Sequence, residues 1–350
     1  MTLRIAFITD AWHPQINGVV TTLHNTCLTL GELGHDVKVI SPDQFKTIPC
    51  PSYPSIRLAI NCYGKVSQQL DEFNPERVHI ATEGPLGLAA RKYCLKHKLA
   101  FTTSFHTLFA EYINLRFKIP VSMGYAFLRW FHGPAKKVMV ATPSVEADLI
   151  ARGFKNQLVR WTRGVKTDFY YPRDEDFLEL PLPIAMFVGR VAVEKNIGAF
   201  LAVDFPGSKV IVGDGPQLKE LKEQFPEAVF VGFQSGEPLA RHLASADVFV
   251  FPSRTDTFGI VLLDALASGV PVAAYPVTGP LDVITSDKVG NLNEDLKVAM
   301  TEALKLDPQD CRNFALNYTW AHCTEQFFNN LVPAIEDIKQ PESSLVTETL

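Results

Sequence analysis

The sequence predicts an α/β protein made of two doubly wound domains that face each other across a cleft. Three observations carry this. A length of 350 residues exceeds one ordinary core and suits two of about 150 residues each. Short apolar runs alternate with helix-length segments, the pattern of parallel sheets covered on both faces. The alternation stops between Arg160 and Pro183, "RWTRGVKTDFYYPRDEDFLELPLP", and then starts again.

In the first half the strand candidates are "RIAFIT", "DVKVIS", "RVHIA", "LAFTTS" and "KVMVAT". Helical patterns such as "VVTTLHNTCLTLGELG" and "LGLAARKYCLKH" lie between them. After the aromatic, charged and proline-bearing connection come "PIAMFVG", "KVIVG", "AVFVG", "DVFVFP" and "VPVAAY", each followed by a helix-length stretch. The segment Gly259 to Ser268 reads as a helix that is apolar nearly all round, and such a helix is buried. One further helix is expected in "CRNFALNYTWAHCTEQFFNNLVPAI", before the polar tail "KQPESSLVTETL". The predicted units are a Rossmann-like domain over 1–165, a second over 166–315, a C-terminal helix over 316–335 that can return to the first domain, and a tail over 336–350.

Composition narrows the class. Hydrophobic residues make up 47% and charged residues 20%, as in a globular protein. No apolar run approaches the roughly 18 residues of a membrane span. The N-terminus enters a strand-like run directly, so a cytoplasmic enzyme is the expectation. The six cysteines form no CxxC and no metal spacing, and are expected to be reduced and mostly buried. The net charge of −5 is uneven. Up to Val165 there are 19 Lys and Arg against 11 Asp and Glu; the remainder has 14 against 27. A basic first half beside an acidic second suggests that the first meets an anionic surface, although a chance spread over solvated faces also fits.

In doubly wound sheets, ligands bind at the carboxyl ends of the strands, in the loops that open the next helix. The first such loop, "FITDAWHPQINGVVTTL", lacks G-x-G-x-x-G, and the GxxxxGK[ST] phosphate loop is absent as well. A nicotinamide dehydrogenase and a P-loop ATPase are therefore disfavoured. Its Gly18, at a helix start, allows close approach of a phosphate and equally fits a turn. In "MFVGRVAVEKNIGAF", Arg190 and Lys195 can clamp a pyrophosphate, one as a planar fork and the other as a point charge. Surface cations paired with Glu194 fit equally. Asp256 lies just before a helix N-terminus, where an N-cap is the simple reading. Asp264 lies inside the apolar helix, where an acid needs a partner or a ligand. Two carboxylates so placed can each hold a pair of hydroxyls, with phosphates between them on the helix N-terminus.

Arg190 and Lys195 followed by "PSRTDTFGIVLLDALASGVPVAA" resemble retaining glycosyltransferases of family 4, which have the GT-B fold. The resemblance covers nearly the whole chain, including the "NGV" loop and Phe105-His106-Thr107. Both glutamates of that family's E-x7-E signature are aspartates here, Asp256 and Asp264. The resemblance implies a nucleotide-diphosphate sugar as donor substrate, no cofactor and no metal. It implies that Arg190 and Lys195 bind the diphosphate, and that Asp256 with the backbone of Thr257, Phe258 and Gly259 holds the sugar. Asp264 would hold the ribose, Gly18 would pack against the phosphates, and His106 would contact the donor sugar near the reacting centre. The catalytic set is then His106, Arg190, Lys195 and Asp256. The only D-x-D, Asp174-Glu175-Asp176, lies in the polar connection and reads as surface charge.

From Phe109 to Val140, aromatics interleave with Arg116, Lys118, Arg129, Lys136 and Lys137, and a second basic set is Arg91, Lys92, Lys96 and Lys98. The mixture suits an anionic membrane surface; amphipathic helices packed on the sheet are the alternative. The first-half loops are similar to members that glycosylate diacylglycerol and to phosphatidylinositol mannosyltransferases. The expected partners are thus a nucleotide-sugar donor and a lipid acceptor, diacylglycerol foremost, with no nucleic acid. The expected location is the cytoplasmic side of the cell membrane, peripherally attached. A GDP-mannose-dependent mannosyltransferase and a catalytically silent nucleotide-sugar-binding protein are the alternatives.

Overall fold

The computed structural model describes residues 2–50, 53–173 and 177–335. The Asp174–Asp176 triplet and the tail from residue 336 lie outside the described residues, as does the side chain of Arg116.

The first unit runs β1 (Arg4–Ile8), α1 (Gly18–Glu32), β2 (Asp36–Ile40), β3 (Thr47–Cys50), β4 (Tyr53–Ala59), α2 (Tyr63–Phe73) and β5 (Arg77–Ile80). It continues with α3 (Pro85–His97), β6 (Thr102–Phe105), α4 (Phe109–Phe117), α5 (Val121–His132), β7 (Lys137–Val140), α6 (Pro143–Ala151) and β8 (Gln157–Arg160). The second runs β9 (Ile184–Val188), α7 (Ile197–Leu201), β10 (Ser208–Val212), α8 (Leu218–Gln224), β11 (Val229–Gly232), α9 (Gly236–Ala244) and β12 (Val248–Phe251). It ends with α10 (Ile260–Ala267), β13 (Val272–Ala274), α11 (Pro280–Val283), β14 (Gly290–Leu292), α12 (Leu296–Ala303) and α13 (Pro308–Ala315), after which α14 (Trp320–Asn330) follows.

Two six-stranded sheets result, ordered β2-β1-β5-β6-β7-β8 and β11-β10-β9-β12-β13-β14, and every pairing in them is parallel. Strand order reverses beside β1 in the first sheet and beside β9 in the second. At such switch points adjacent connections leave on opposite faces and open a crevice at the strand ends. Three short strand features depart from the sequence reading. The β3–β4 hairpin, β8 and β14 carry too little apolar alternation to register, since β14 is "GNL" and β8 is "QLVR".

The apolar runs build the cores. Leu262, Leu263, Ala265, Leu266 and Ala267 of α10 are fully buried against β12 and β13, and each leucine so buried contributes about 2 kcal/mol. The single expected C-terminal helix is two helices. Thr319 breaks it by accepting the His322 backbone N–H, which caps α14. α14 then lies on the first unit, where Phe327 stacks on Phe7 at 4.9 Å beside Trp161. Arg312 anchors the connection between the units by donating to the carbonyls of Thr167, Tyr170 and Ala267. All six cysteines are unbridged, and burial pushes the Cys94 and Cys311 thiols up to about 12.

Candidate functional site

The carboxyl ends of the two sheets meet. Thr257 Oγ1 donates to the His106 carbonyl at 2.7 Å, Tyr112 Oη donates to the Thr255 carbonyl at 2.9 Å, and Thr142 Oγ1 donates to the Thr257 carbonyl at 3.3 Å. Lower on the same seam, the Ser144 backbone N–H and hydroxyl both donate to Asp282 Oδ1. The loop after β12 thus docks on β6, α4 and α6 of the first unit.

On the first-unit side, Asn17 caps α1 by accepting from the Val19 and Val20 backbone N–H groups. Gly18 follows, exposed, and a Cβ placed on it would lie 3.4 Å from Ile260 Cγ2, so α1 and α10 begin opposite one another. Asp10, at the end of β1, accepts from the Leu86 and Gly87 N–H groups and from the Thr82 hydroxyl, which ties this loop to the N-terminus of α3. Burial pushes the Asp10 carboxyl up to about 6. Its approach explains Gly84, where any Cβ would fall 2.4 Å from the Asp10 carboxyl carbon.

Across the seam, Arg190 is half-buried at the end of β9, after Gly189. Lys195 closes the short turn Val193–Lys195, and Asn196, at φ 51°, turns the chain into α7. Two bonds join this loop to the one after β12: Asn196 Nδ2 donates to the Pro252 carbonyl, and the Ser253 hydroxyl donates to the Glu194 carbonyl. They bring Lys195 Nζ to 2.7 Å from Asp256 Oδ2, with 19% and 17% of the two side chains exposed. The partner of Lys195 is therefore Asp256, 61 residues away, and not the adjacent Glu194. Nor does Asp256 cap α10. Gly259 occupies that position at φ 79°, a left-handed conformation that suits glycine, and no side chain caps the helix. The first N–H groups of α10 are left pointing toward the seam.

Asp264 answers the question its sequence position raised. It is half-buried one turn inside α10, and among the described residues no group hydrogen-bonds to its carboxylate. Burial raises that carboxyl to about 7, and Tyr170, whose own hydroxyl is shifted up by burial and by Asp264, lies nearby. An acid without a protein partner in such a place is available to hydroxyl donors of a ligand.

His106 presents its backbone, not its ring, to the donor-side loop. The ring is buried, with Nε2 2.8 Å from Ser104 Oγ and Nδ1 3.2 Å from Arg163 Nη2. Burial first, and the Arg163 charge second, hold it well below the ordinary imidazole range. The sequence reading passed over Arg163. The signal was present: Arg163-Gly164 follows β8 much as Gly189-Arg190 follows β9.

The basic and aromatic stretch divides. Arg91 lies under Trp130, 4.0 Å from the ring centroid, and donates to the Trp130 and Phe131 carbonyls. Arg129 donates to the Arg152 carbonyl, and Lys92 sits over the Tyr63 ring. These three serve the fold. At the turn between α4 and α5, Phe117, Ile119 and Met123 are exposed beside Lys118, while Tyr125, Leu128 and Phe131 on the other face of α5 are buried. Among the described residues no helix is long and apolar enough to cross a membrane.

Comparison with known proteins agrees with this geometry. Residues 16–169 match the pattern of Glycosyltransferase Family 4, and residues 183–306 match that of Glycosyl transferases group 1. A GDP-mannose-dependent alpha-mannosyltransferase of Mycolicibacterium smegmatis is 31% identical over 320 residues, covering 83% of this chain and 84% of that protein. An alpha-monoglucosyldiacylglycerol synthase of Streptococcus pneumoniae is 26% identical, covering 87% and 79%. A sulfoquinovosyl transferase of Arabidopsis thaliana is 29% identical over 82% of this chain, which spans 62% of that protein's length. The solved sucrose-phosphate synthase of Thermosynechococcus elongatus superposes with a TM-score of 0.77 at 20% identity, covering 93% of this chain and 98% of that one. Two facing doubly wound units, joined along their strand ends and matched over both halves, make this chain a member of the family 4 glycosyltransferases with the GT-B fold.

Proposed function

We propose that this glycosyltransferase moves a hexose or hexuronic acid, with retention, from a nucleotide-diphosphate sugar to a lipid acceptor at a membrane surface, diacylglycerol foremost. The observation that carries the donor half is the Lys195–Asp256 pair beside the open N-terminus of α10, with the unpartnered Asp264 one turn beyond. In the free protein the cation and the acid hold each other. On donor binding Lys195 turns to the diphosphate with Arg190, and Asp256 accepts from the sugar hydroxyls beside the backbone of Thr257, Phe258 and Gly259. Asp264 accepts from the ribose hydroxyls, and Gly18 admits the phosphates between α1 and α10.

The bond between the sugar's anomeric carbon and the diphosphate oxygen breaks with both electrons going to the diphosphate. Preorganised cations and helix N–H groups stabilise that charge as it grows, and no metal is needed for it. The acceptor hydroxyl attacks from the same face, and its proton passes to the departing diphosphate. The His106 carbonyl lies at this seam as the fixed rim against which the donor loop docks.

The exposed apolar residues at the α4–α5 turn, next to Lys118, with Lys96 and Lys98 also exposed, support attachment of the first unit to anionic lipid. A second reading, a GDP-mannose-dependent mannosyltransferase, is favoured by the mannosyltransferase relative, which matches over most of its length. Incubation with a panel of nucleotide sugars and diacylglycerol or phosphatidylinositol liposomes, with mass spectrometry of the lipid, separates the two. Nucleotide-sugar binding without transfer to any acceptor would instead indicate a silent binding protein.

A further inference from the structure

Arg163 occupies a place arginines rarely take: 6% exposed, with no carboxylate within ion-pair distance among the described residues. Its Nη1 donates to the carbonyls of Trp161 at 2.6 Å and Thr162 at 3.0 Å, and its guanidinium lies over the rings of Trp161 and Phe258, the latter on the donor-side loop. Its Nη2 is the group that meets His106 Nδ1. We propose that Arg163 is a positioning residue for the transfer reaction, which locks His106 in one neutral tautomer and so holds the His106 carbonyl where Thr257 docks. This rests on the reading above that His106 and the Thr257 loop border the reacting centre.

The donor–acceptor logic is one-directional. A guanidinium carries only donors, so Nδ1 must be the bare, accepting nitrogen of His106. The ring's proton is then on Nε2 and is donated to Ser104 Oγ at 2.8 Å. Ser104 in turn has its hydroxyl proton for His79 Nε2 at 3.2 Å or the Ala81 carbonyl at 3.4 Å. A second proton on His106 would set an N–H against the N–H of Arg163. The groups facing the ring are Arg163 from the segment after β8, His79 from β5 and His132 from α5, the last bonded to Glu83. Cys323 of α14 faces Arg163 itself. None of these offers a negative charge directly to the ring, and burial with the Arg163 charge disfavours imidazolium further.

With both nitrogens fixed, the residue at the end of β6 cannot rotate, and its carbonyl stays aimed at the Thr257 hydroxyl. Thr257 follows Asp256, so the lock bears on the loop that holds the Lys195 partner. Arg163 also lines a cavity of about 240 Å³, together with Thr162, Phe314, Tyr318, His322 and Gln326 among others. Truncation of the Arg163 side chain would join the space it leaves to this cavity, which makes added guanidinium the probe for rescue.

The test combines nitrogen-15 NMR of the histidine rings in the free protein with donor kinetics against pH, for wild type, Arg163→Lys and Arg163→Ala, the last with and without added guanidinium. In wild type His106 is expected to show a single Nε2–H tautomer that resists protonation. In R163A both tautomers populate and the ring titrates closer to about 6.5. The donor kcat/KM then falls roughly 10–100-fold, the scale of a group misplaced by about 1 Å, with its acid limb moved up. Guanidinium restores both the tautomer and the rate, and R163K loses less than R163A. An unchanged tautomer and pH profile in R163A, or no rescue of either signal, overturns the proposal. If R163A does not fold, R163K decides. A rate that falls in step with loss of the single Nε2–H tautomer supports the lock, whereas a lost rate with the tautomer retained, or a mixed tautomer with a wild-type rate, overturns it. The NMR arm reads the free protein, so a wild type that transfers no sugar would refute the proposed function separately from the lock.

Discussion

Replacing Lys195 by alanine removes two things at once, a stabilising pair in the free protein and a cation at the leaving group, and the two losses can be read apart. The pair has one short charge-assisted bond, 2.7 Å, between side chains that are four-fifths buried. Such bonds contribute about 1.5–3 kcal/mol, and leaving Asp256 with no cation adds a desolvation penalty. K195A should therefore lose about 2–3 kcal/mol of stability. At about 2–4 °C per kcal/mol, the scale for a unit of about 150 residues melting by itself, that corresponds to a melting point of the second unit lower by about 4–12 °C. D256A should cost less, about 1–2 kcal/mol, because the lysine stem can swing its head to water. The double variant should lose less than the sum, with a coupling of about 1–2 kcal/mol. Transfer rates should follow another rule. K195A should lower kcat about 100–1,000-fold, the usual cost of one preorganised donor to developing charge, and the double variant should recover none of it. Thermal melts and initial rates at saturating donor measure the two quantities. Stabilities that add to within about 0.5 kcal/mol would show that the pair does not form in solution. A K195A rate within a few-fold of wild type would refute the role at the diphosphate.

Asp264 gives a pH test. Its folded carboxyl stands at about 7 against an ordinary 3.8, so the folded state holds the proton longer and stability falls as pH rises across that window. Asp10, raised to about 6, acts in the same direction, and the buried neutral His79, lowered to about 3, acts oppositely. Urea unfolding of D264N against wild type isolates the Asp264 share, and identical pH slopes for the two would contradict it. Nucleotide binding should favour the ionised carboxylate and release a proton near neutral pH, seen as a calorimetric heat that varies with the buffer; a buffer-independent heat counts against the ribose role. Gly18→Leu should wedge α1 from Ile260, leaving the melting point nearly unchanged and raising the donor KM, so an unaltered KM would speak against the crevice. Liposome co-sedimentation should require anionic lipid, weaken with salt and weaken again in M123E; salt-independent binding would remove the membrane reading.

Much of the architecture was legible because it lies in local periodicity. The ten named strands are each an apolar run, and all ten appear within the two sheets. What escaped notice has little local signal, such as the three residues of β14 or the α13–α14 break, which depends on one capping threonine. The site was legible to the extent that strand-end loops carry it. Asp264 was marked by being an acid on an apolar helix, and among the described residues no group hydrogen-bonds to its carboxylate. Two other features needed the third dimension. Lys195 meets Asp256 across 61 residues, and His106 meets Arg163 across 57. A sequence places such residues in loops but does not say which loops touch. The basic stretch shows the converse, because Arg91, Lys92 and Arg129 read alike as surface charge and yet cover aromatic rings or bind carbonyls.

The central claim is that a nucleotide sugar binds along this seam with its diphosphate on the guanidinium of Arg190, the ammonium of Lys195 and the first amides of α10. A crystal structure with an intact nucleotide sugar tests it most directly. The expected result is phosphate oxygens within hydrogen-bond distance of both cations, with the Lys195–Asp256 contact opened and Asp256 on the sugar. A diphosphate lodged elsewhere, with that contact intact, would contradict the account.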